Sequence, residues 1–276
     1  MSAQPSQSPK IVVAVAAHKP YRMPDDLVYL PLHVGRALHP EVADSMGPRF
    51  AGDDTGSSIS ERNAIYSELT GLWWLWRNVD ADYKGLVHYR RHFRTSDPSR
   101  RRARDRFERI ASEADFRALI DAGAEVIVPR RRSYYIETMR SHWDHTMPPE
   151  QLDVAWAAVA ELEPAYLPAL DQVLAGTGAH LFNMCVMRAD LMDAWCAWLF
   201  PVLDETCRRL PPEGYDTFLA RYPGRVSELL LDAWLATNGI EPTEMPTTNP
   251  EPVNWAKKGG AFLAAKFLGK KYERSF

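Results

Sequence analysis

Hydrophobic positions along the chain change period several times, and the changes mark out elements. The run Ile11 to Ala17, IVVAVAA, is continuous and rich in β-branched residues, with a proline before it and HKPYRMP after it. Such a run predicts a strand buried on both faces, as in a parallel sheet. Past residue 59 the period becomes helical: Ile65, Leu69, Leu72, Trp73 and Trp76 form one broad apolar face, and Asn78 is a suitable stop. Ser58 and Glu61 have the S-x-x-E spacing of a capping box, so this helix is expected to open near Ile59. After the turn VDADYK, the run Gly85, Leu86, Val87 predicts a second buried strand. That strand would deliver His88, Tyr89, Arg90, Arg91 and His92 at its carboxyl end, the edge at which open α/β sheets bind ligands.

The remaining pattern continues the alternation. A charged helix is expected over 98–122, an apolar strand over 124–129, and a polar aromatic loop containing SHWDH over 130–149, long enough to cover a site. Two helices follow at 150–162 and 164–175, then a strand from Leu181 to Met187, then a helix capped by Asp190 that Pro201 should kink or end. A last helix is expected from Val226 to Thr237, closed by Asn238 and Gly239, with Glu228 in its first turn. Strand, loop, helix and strand in the first ninety residues give βαβ order and an α/β class.

Composition narrows the picture. No low-complexity linker divides the 276 residues, so one domain over 10–250 is expected, after a flexible start at 1–9. The 251–276 tail mixes Trp255, Phe262, Leu263, Phe267 and Leu268 with lysines, a pattern that fits either an anionic membrane surface or a helix docked on the body. A net charge of −3 and the lack of an RNA-binding motif argue against a nucleic-acid protein, although RRRARDRFER near residue 100 and PRRR at 129–132 are locally basic. Cys185, Cys196 and Cys207 fit neither a disulfide framework nor a zinc site and are expected to be buried free thiols. There is no signal-peptide pattern and no stretch of about eighteen apolar residues, so the expected location is the cytoplasm, with the inner face of the cell membrane as the place of any lipid contact.

The motifs AHKPYRMP, DDTG, ISERN, YSELTGLWWLWRN, DYKGLVHYRRHF, FNMCVM and RVSELLL occur in an order that resembles a bacterial family. It is the family of capsular and exopolysaccharide biosynthesis glycosyltransferase domains, formerly described as a domain of unknown function and including galactofuranosyltransferases of O-antigen assembly. The resemblance covers about residues 10 to 245. It implies a variant nucleotide-sugar transferase fold, GT-A-like, with a Rossmann-like and mostly parallel sheet flanked by helices. It also implies transfer, with inversion, of a sugar such as galactofuranose from UDP-galactofuranose to a lipid-linked or polysaccharide acceptor. A catalytically inactive module that binds nucleotide-sugar or glycan within an assembly complex is the alternative.

By the same resemblance, donor binding falls to His18, Lys19, Tyr21, Asp54, Thr55, Ser60, Arg62, Asn63, His88 and Tyr89, with helix capping the other reading of Ser60 and Asn63. Related transferases place an aspartate pair for Mn²⁺ or Mg²⁺ at the end of the second strand, where this chain has His88, Tyr89, Arg90 and Arg91. Arginine forks can hold diphosphate oxygens and stabilise the departing nucleotide, so Arg90 and Arg91 are expected to do so unless they pair with Asp80 or Asp82. Alternative metal ligands are Asp53 with Asp54, or His142, Asp144 and His145; no metal site is assigned and metal dependence is left open. Glu228 is the expected general base. Asn183, Met184, His142 and His145 are expected to line the sugar or acceptor pocket, with packing as the other reading of the first two.

Overall fold

The computed structural model describes residues 8–251. Its first strand, β1 (Ile11–Ala17), lies inside a seven-stranded sheet. On one side β1 pairs in parallel with β2 (Tyr29–His33), which pairs in parallel with β3 (Ala51–Gly52); on the other it pairs in parallel with β4 (Tyr83–His88). A short ladder joins β5 (His92–Phe93) to a strand near the carboxyl end of the described chain. Beyond β4 the sheet continues through an antiparallel strand to β6 (Val126–Pro129), and a second ladder joins β7 (Arg132–Ser133) to β8 (Gly178–Ala179). The antiparallel strand is β9 (Cys185–Arg188), β10 (Thr243–Met245) closes that edge parallel to β6, and β11 (Thr247–Thr248) is the partner of β5. The sheet is therefore mostly parallel, with β9 reversed.

Both faces of β1 are covered, as its unbroken apolar run demands. Ala14 and Ala16 face one core with Leu32, Leu86 and Val126, whereas Val13, Val15 and Ala17 face the other with Phe93, Ile110 and Phe116. The second core is closed by α1 (Pro40–Met46) and by the later α4 (Glu113–Asp121). The first, larger core is closed by α2 (Asn63–Tyr66), α3 (Leu69–Asn78), α5 (Met139–Thr146), α6 (Pro149–Leu162), α7 (Leu167–Ala175), α8 (Ala189–Arg209) and α9 (Tyr222–Thr237). Each fully buried aliphatic side chain here, Leu86 for example, stabilises the fold by about 2 kcal/mol. Gly85 has to be glycine: a Cβ there would meet Val186 Cγ2 at 2.7 Å and the Cys185 carbonyl oxygen at 2.8 Å, so it lets β9 close on β4.

Several boundaries differ from the sequence expectation. The helix expected from Ile59 is broken: a 3₁₀ turn at Ser60–Arg62 and the short α2 end at Ser67, whose φ of 50° interrupts the helix before α3 begins. Ser58 makes no capping box. Its Oγ donates to the Asp53 carbonyl and accepts from the Ser60 amide. The charged helix expected over 98–122 is reduced to two 3₁₀ turns and α4, because the true cap is Ser112, whose capping box with Asp115 starts the helix there. Helix α8 continues through Pro201, carried by buried Trp198, Leu199, Phe200, Val202 and Leu203 on either side. Cys185 and Cys196 are buried free thiols and Cys207 is half-buried. Among the described residues no helix is long and apolar enough to cross a membrane, and the tail expected to be amphipathic lies outside them from residue 252 on.

One buried carboxylate ties the first βαβ segment together. Asp53 is fully buried and accepts hydrogen bonds from the amides of Gly35 (2.9 Å) and Arg36 (3.2 Å) and from the hydroxyls of Ser60 (2.5 Å) and Thr70 (2.7 Å). Removing it leaves the Gly35 and Arg36 amides and the Ser60 hydroxyl without that acceptor, whereas Thr70 keeps the Ser67 carbonyl, and each unsatisfied group costs about 1–3 kcal/mol. Asp53→Ala is therefore expected to lower the unfolding free energy by about 3 kcal/mol or more in urea denaturation. A loss under about 1 kcal/mol would contradict this role.

Candidate active site

The carboxyl ends of β1 and β4 lie side by side. Ala16 is in register with His88, so the residues that follow each strand, His18–Tyr21 and Tyr89–Arg91, emerge together. The HYRR sequence is a tight turn: the Arg91 amide donates to the His88 carbonyl (2.9 Å) and the His88 amide returns a bond to the Arg91 carbonyl (3.1 Å). The turn sends its arginines to different places. Arg90 is exposed at the tip, and Arg91 turns back into the structure, half-buried, with its guanidinium over the Phe182 ring at 3.7 Å. Tyr89, buried beneath, is the surface on which the others gather. Its ring meets His18 at 5.4 Å and Tyr21 at 4.8 Å edge to face, with Lys19 at 5.6 Å and Arg90 at 5.2 Å as cations beside it.

This edge is strongly cationic. Partial burial of the ring, followed by the charges of Lys19, Arg90, Arg221 and His88, lowers the pKa of His18, which favours the neutral imidazole at pH 7. An anion is the complement of such a cluster.

Two carboxylates face it from the helical layer. Glu68, immediately before α3, lies 3.4 Å from His88 Nε2 and accepts a 2.7 Å hydrogen bond from the Asn183 amide group. Burial pushes Glu68 up, but His88 and Asn183 outweigh it and the carboxyl titrates below its ordinary range. Asn183 is itself held by α9, donating to the Gly224 carbonyl (2.7 Å) and accepting from the Ser227 hydroxyl (2.6 Å). Its φ of 51° and the φ of 88° at Phe182 place both residues in the left-handed region, a strained turn just ahead of β9.

Glu228 is the second carboxylate. Helix α9 starts at Tyr222, a turn earlier than the sequence suggested, so Glu228 lies in its second turn and the expected first-turn stabilisation by the helix terminus is lost. Burial, and then repulsion from Glu68, raises its pKa to about 7, against the Phe182 backbone amide, Arg91 and Arg225, which lower it. Glu228 is thus a carboxylate poised near neutrality, as a general base requires. Arg225 is held by the Phe218 carbonyl (3.0 Å) with its guanidinium over the Phe218 ring (4.0 Å).

Other residues singled out in the sequence have internal partners. Thr55 donates to the Gly52 carbonyl and accepts from the Trp74 indole; Ser60 is one of the donors to Asp53; Asn63 bonds the Ser67 carbonyl and Thr70. Arg62 pairs with Asp204 on α8 (2.8 Å), and Asp54 lies 3.6 Å from Arg36. Met184 is fully buried in the core below β9 rather than open to a pocket. His142 and His145 both turn to buried Glu137, at 3.1 and 2.9 Å. Asp80 and Asp82 precede β4 at the opposite end from Arg90 and Arg91, and Asp82 accepts from the Lys10 amide instead.

Sequence reasoning did not find Glu68, Phe182, Arg221 or Arg225. Arg221, Arg225 and Glu228 recur at steps of four and three, one face of a helix, which was the available signal. Glu68 carried a weaker one, an acid just ahead of an otherwise apolar helix.

Residues 10–239 match a protein-family model described as Domain of unknown function (DUF4422). The chain belongs to this family. Comparison with curated protein sequences gives no significant match. Among solved structures, the apo structure of the WbbM bifunctional glycosyltransferase superposes with a TM-score of 0.76 at 25% identity, over 87% of this chain and 45% of that one. The chain thus spans less than half of that larger protein, and the shared part is the GT-A-like α/β fold.

In this DUF4422 chain the end of β4 does not fit the hard divalent cation that GT-A-like folds suggest. Such a cation takes several oxygen ligands; here the nearby carboxylates face His88, Asn183, Arg91 and Arg225, and Asp53 is saturated by four donors. Among the described residues no group of three His, Cys, Asp or Glu side chains could hold a metal ion, the His142, Asp144 and His145 set included. The electrostatic link between the two acids is directly measurable. Removing the Glu68 charge with Glu68→Gln should lower the Glu228 pKa from about 7 towards the usual carboxylate range, read from the side-chain carboxyl ¹³C shift across pH. An unchanged titration would mean that the two groups do not interact.

Proposed function

We propose that the chain is an inverting glycosyltransferase that moves a sugar from a UDP-sugar to a hydroxyl of a lipid-linked or polysaccharide acceptor. UDP-galactofuranose is the proposed donor, on the family resemblance. The observation that carries this reading is one juxtaposition: a base poised at neutrality, Glu228, electrostatically coupled to Arg91 at a cationic strand edge.

The chemistry follows from charge. Transfer breaks the bond between the anomeric carbon and the diphosphate oxygen, and negative charge grows on the departing UDP. Arg90 and Arg91, with Lys19 beside them, are the groups proposed to receive that charge, Arg91 preorganised by its half-buried packing on the Phe182 ring. Glu228 takes the proton of the acceptor hydroxyl as its oxygen attacks the anomeric carbon from the opposite face, which inverts the configuration. Burial makes Glu228 a stronger base than an isolated carboxylate, and the fixed negative charge of Glu68 adds to that effect. Arg91 opposes that effect and limits it, since its positive charge stabilises the ionised glutamate.

The pH dependence has a defined sign. Only ionised Glu228 accepts a proton, so turnover should rise as pH increases through about 7. Glu228→Gln should retain UDP-sugar binding by calorimetry yet lose transfer by about 10²–10⁴-fold in a product assay. Transfer near the wild-type rate would remove Glu228 as the base. Donor binding with no UDP release by the wild-type chain, over a panel of UDP-sugars and acceptors, would favour a binding module instead.

A further inference from the structure

We infer that the segment Arg130–Ile136 is a membrane-docking tip that rests on an anionic lipid surface beside the candidate active site. The ladder of β7 with β8 anchors one side of the segment; Arg131 reinforces it by donating to the Gly178 carbonyl (2.7 Å). The other side is anchored by Glu137, which is buried and holds His142 and His145, and by Thr138, whose hydroxyl caps α5. Between these anchors the chain makes a tight γ-turn. The Ile136 amide donates to the Tyr134 carbonyl (2.6 Å), with Tyr135 at a φ of 56°. A positive φ at a bulky residue is costly and persists where the surroundings enforce it. Here it leaves Tyr135 85% exposed and Ile136 65% exposed, two adjacent large apolar side chains in water.

Three consecutive arginines, Arg130, Arg131 and Arg132, are exposed on the approach to that tip; Arg131 also lies 3.6 Å from Asp232, so Arg130 and Arg132 supply the charge offered to lipid. Apolar and aromatic side chains beside a basic run are what the interface of an anionic bilayer binds: the former enter the headgroup boundary and the latter meet the lipid charge. The position also suits a lipid-linked acceptor. β8 ends two residues before Leu181 and three before Phe182, and Arg132 is within electrostatic range of Arg91, so the tip borders the edge where transfer is proposed. That last point rests on the proposed function. The docking itself does not, because it is read without donor or acceptor.

The test is co-sedimentation of the full chain with vesicles of phosphatidylcholine alone or with added phosphatidylglycerol. The wild-type chain should bind the anionic vesicles and leave the neutral ones. Tyr135→Asn with Ile136→Asn, asparagine being tolerant of the positive φ, should weaken binding roughly five- to tenfold. Arg130→Ser should weaken it about fivefold, with the effect lost at high salt. Thermal unfolding and transfer to a short soluble acceptor should stay at wild-type values in both variants, which separates docking from folding and catalysis. The inference is overturned if the wild-type chain ignores anionic vesicles, binds neutral ones equally well, or if the double variant binds as tightly as wild type. The last result would assign lipid binding to another segment, the 251–276 tail among them.

Discussion

Two carboxyl groups withdrawn from water at the carboxyl edge of the sheet organise the site. Their partners are asymmetric: His88 and Asn183 keep Glu68 ionised, whereas burial first, and the Glu68 charge second, raise the pKa of Glu228. The surrounding structure serves this asymmetry. The HYRR turn brings His88 to one acid and Arg91 to the other; the left-handed pair Phe182–Asn183 supplies an amide and a ring; α9, started a turn early, supplies Gly224, Ser227 and Arg225 from the helix that carries Glu228. The strands and helices behind them form an ordinary α/β scaffold, whose twin cores fix where those chain ends emerge.

Charge balance explains the departure from an aspartate pair at the end of β4. Lys19, Arg90, Arg91, Arg221 and Arg225 supply positive charge at the edge through the chain itself. In a site that already holds two acids, further carboxylates would raise the repulsion that Glu228 experiences. Arginines relieve it, and the same arginines are suited to a diphosphate.

The fold was largely legible because its signals were long and periodic. The seven-residue apolar run of β1 and the GLV core of β4 read as buried strands, and the tryptophan-rich stretch before Asn78 as helix. Failures came where a single local contact overrode a pattern. The S-x-x-E spacing at Ser58 looked like a helix start, yet Ser58 bonds the Asp53 backbone and the helical stretch that follows is broken at Ser67 before α3. Ser60 and Asp53 looked available for ligand, yet they satisfy each other in the interior. The structure brings His18, Lys19, Arg90 and Arg91 to one sheet edge; the strand-end position pointed to Arg90 and Arg91, and the family resemblance to His18 and Lys19. Glu68 and Arg225 were not visible, because their importance lies in contacts between α9, the Asn183 turn and β4, far apart in sequence. Tertiary proximity of that kind leaves little trace in one chain.

The central claim is that chain-borne cations, rather than a carboxylate-held metal, receive the diphosphate at the end of β4. Calorimetric titration of UDP into the wild-type chain and into Arg91→Ala, each with EDTA and again with Mn²⁺, tests it most directly. Binding to the wild-type chain is expected to be the same in EDTA as in Mn²⁺ and to weaken at least about tenfold in Arg91→Ala. Binding that vanishes in EDTA, or that is unchanged by loss of Arg91, would contradict it.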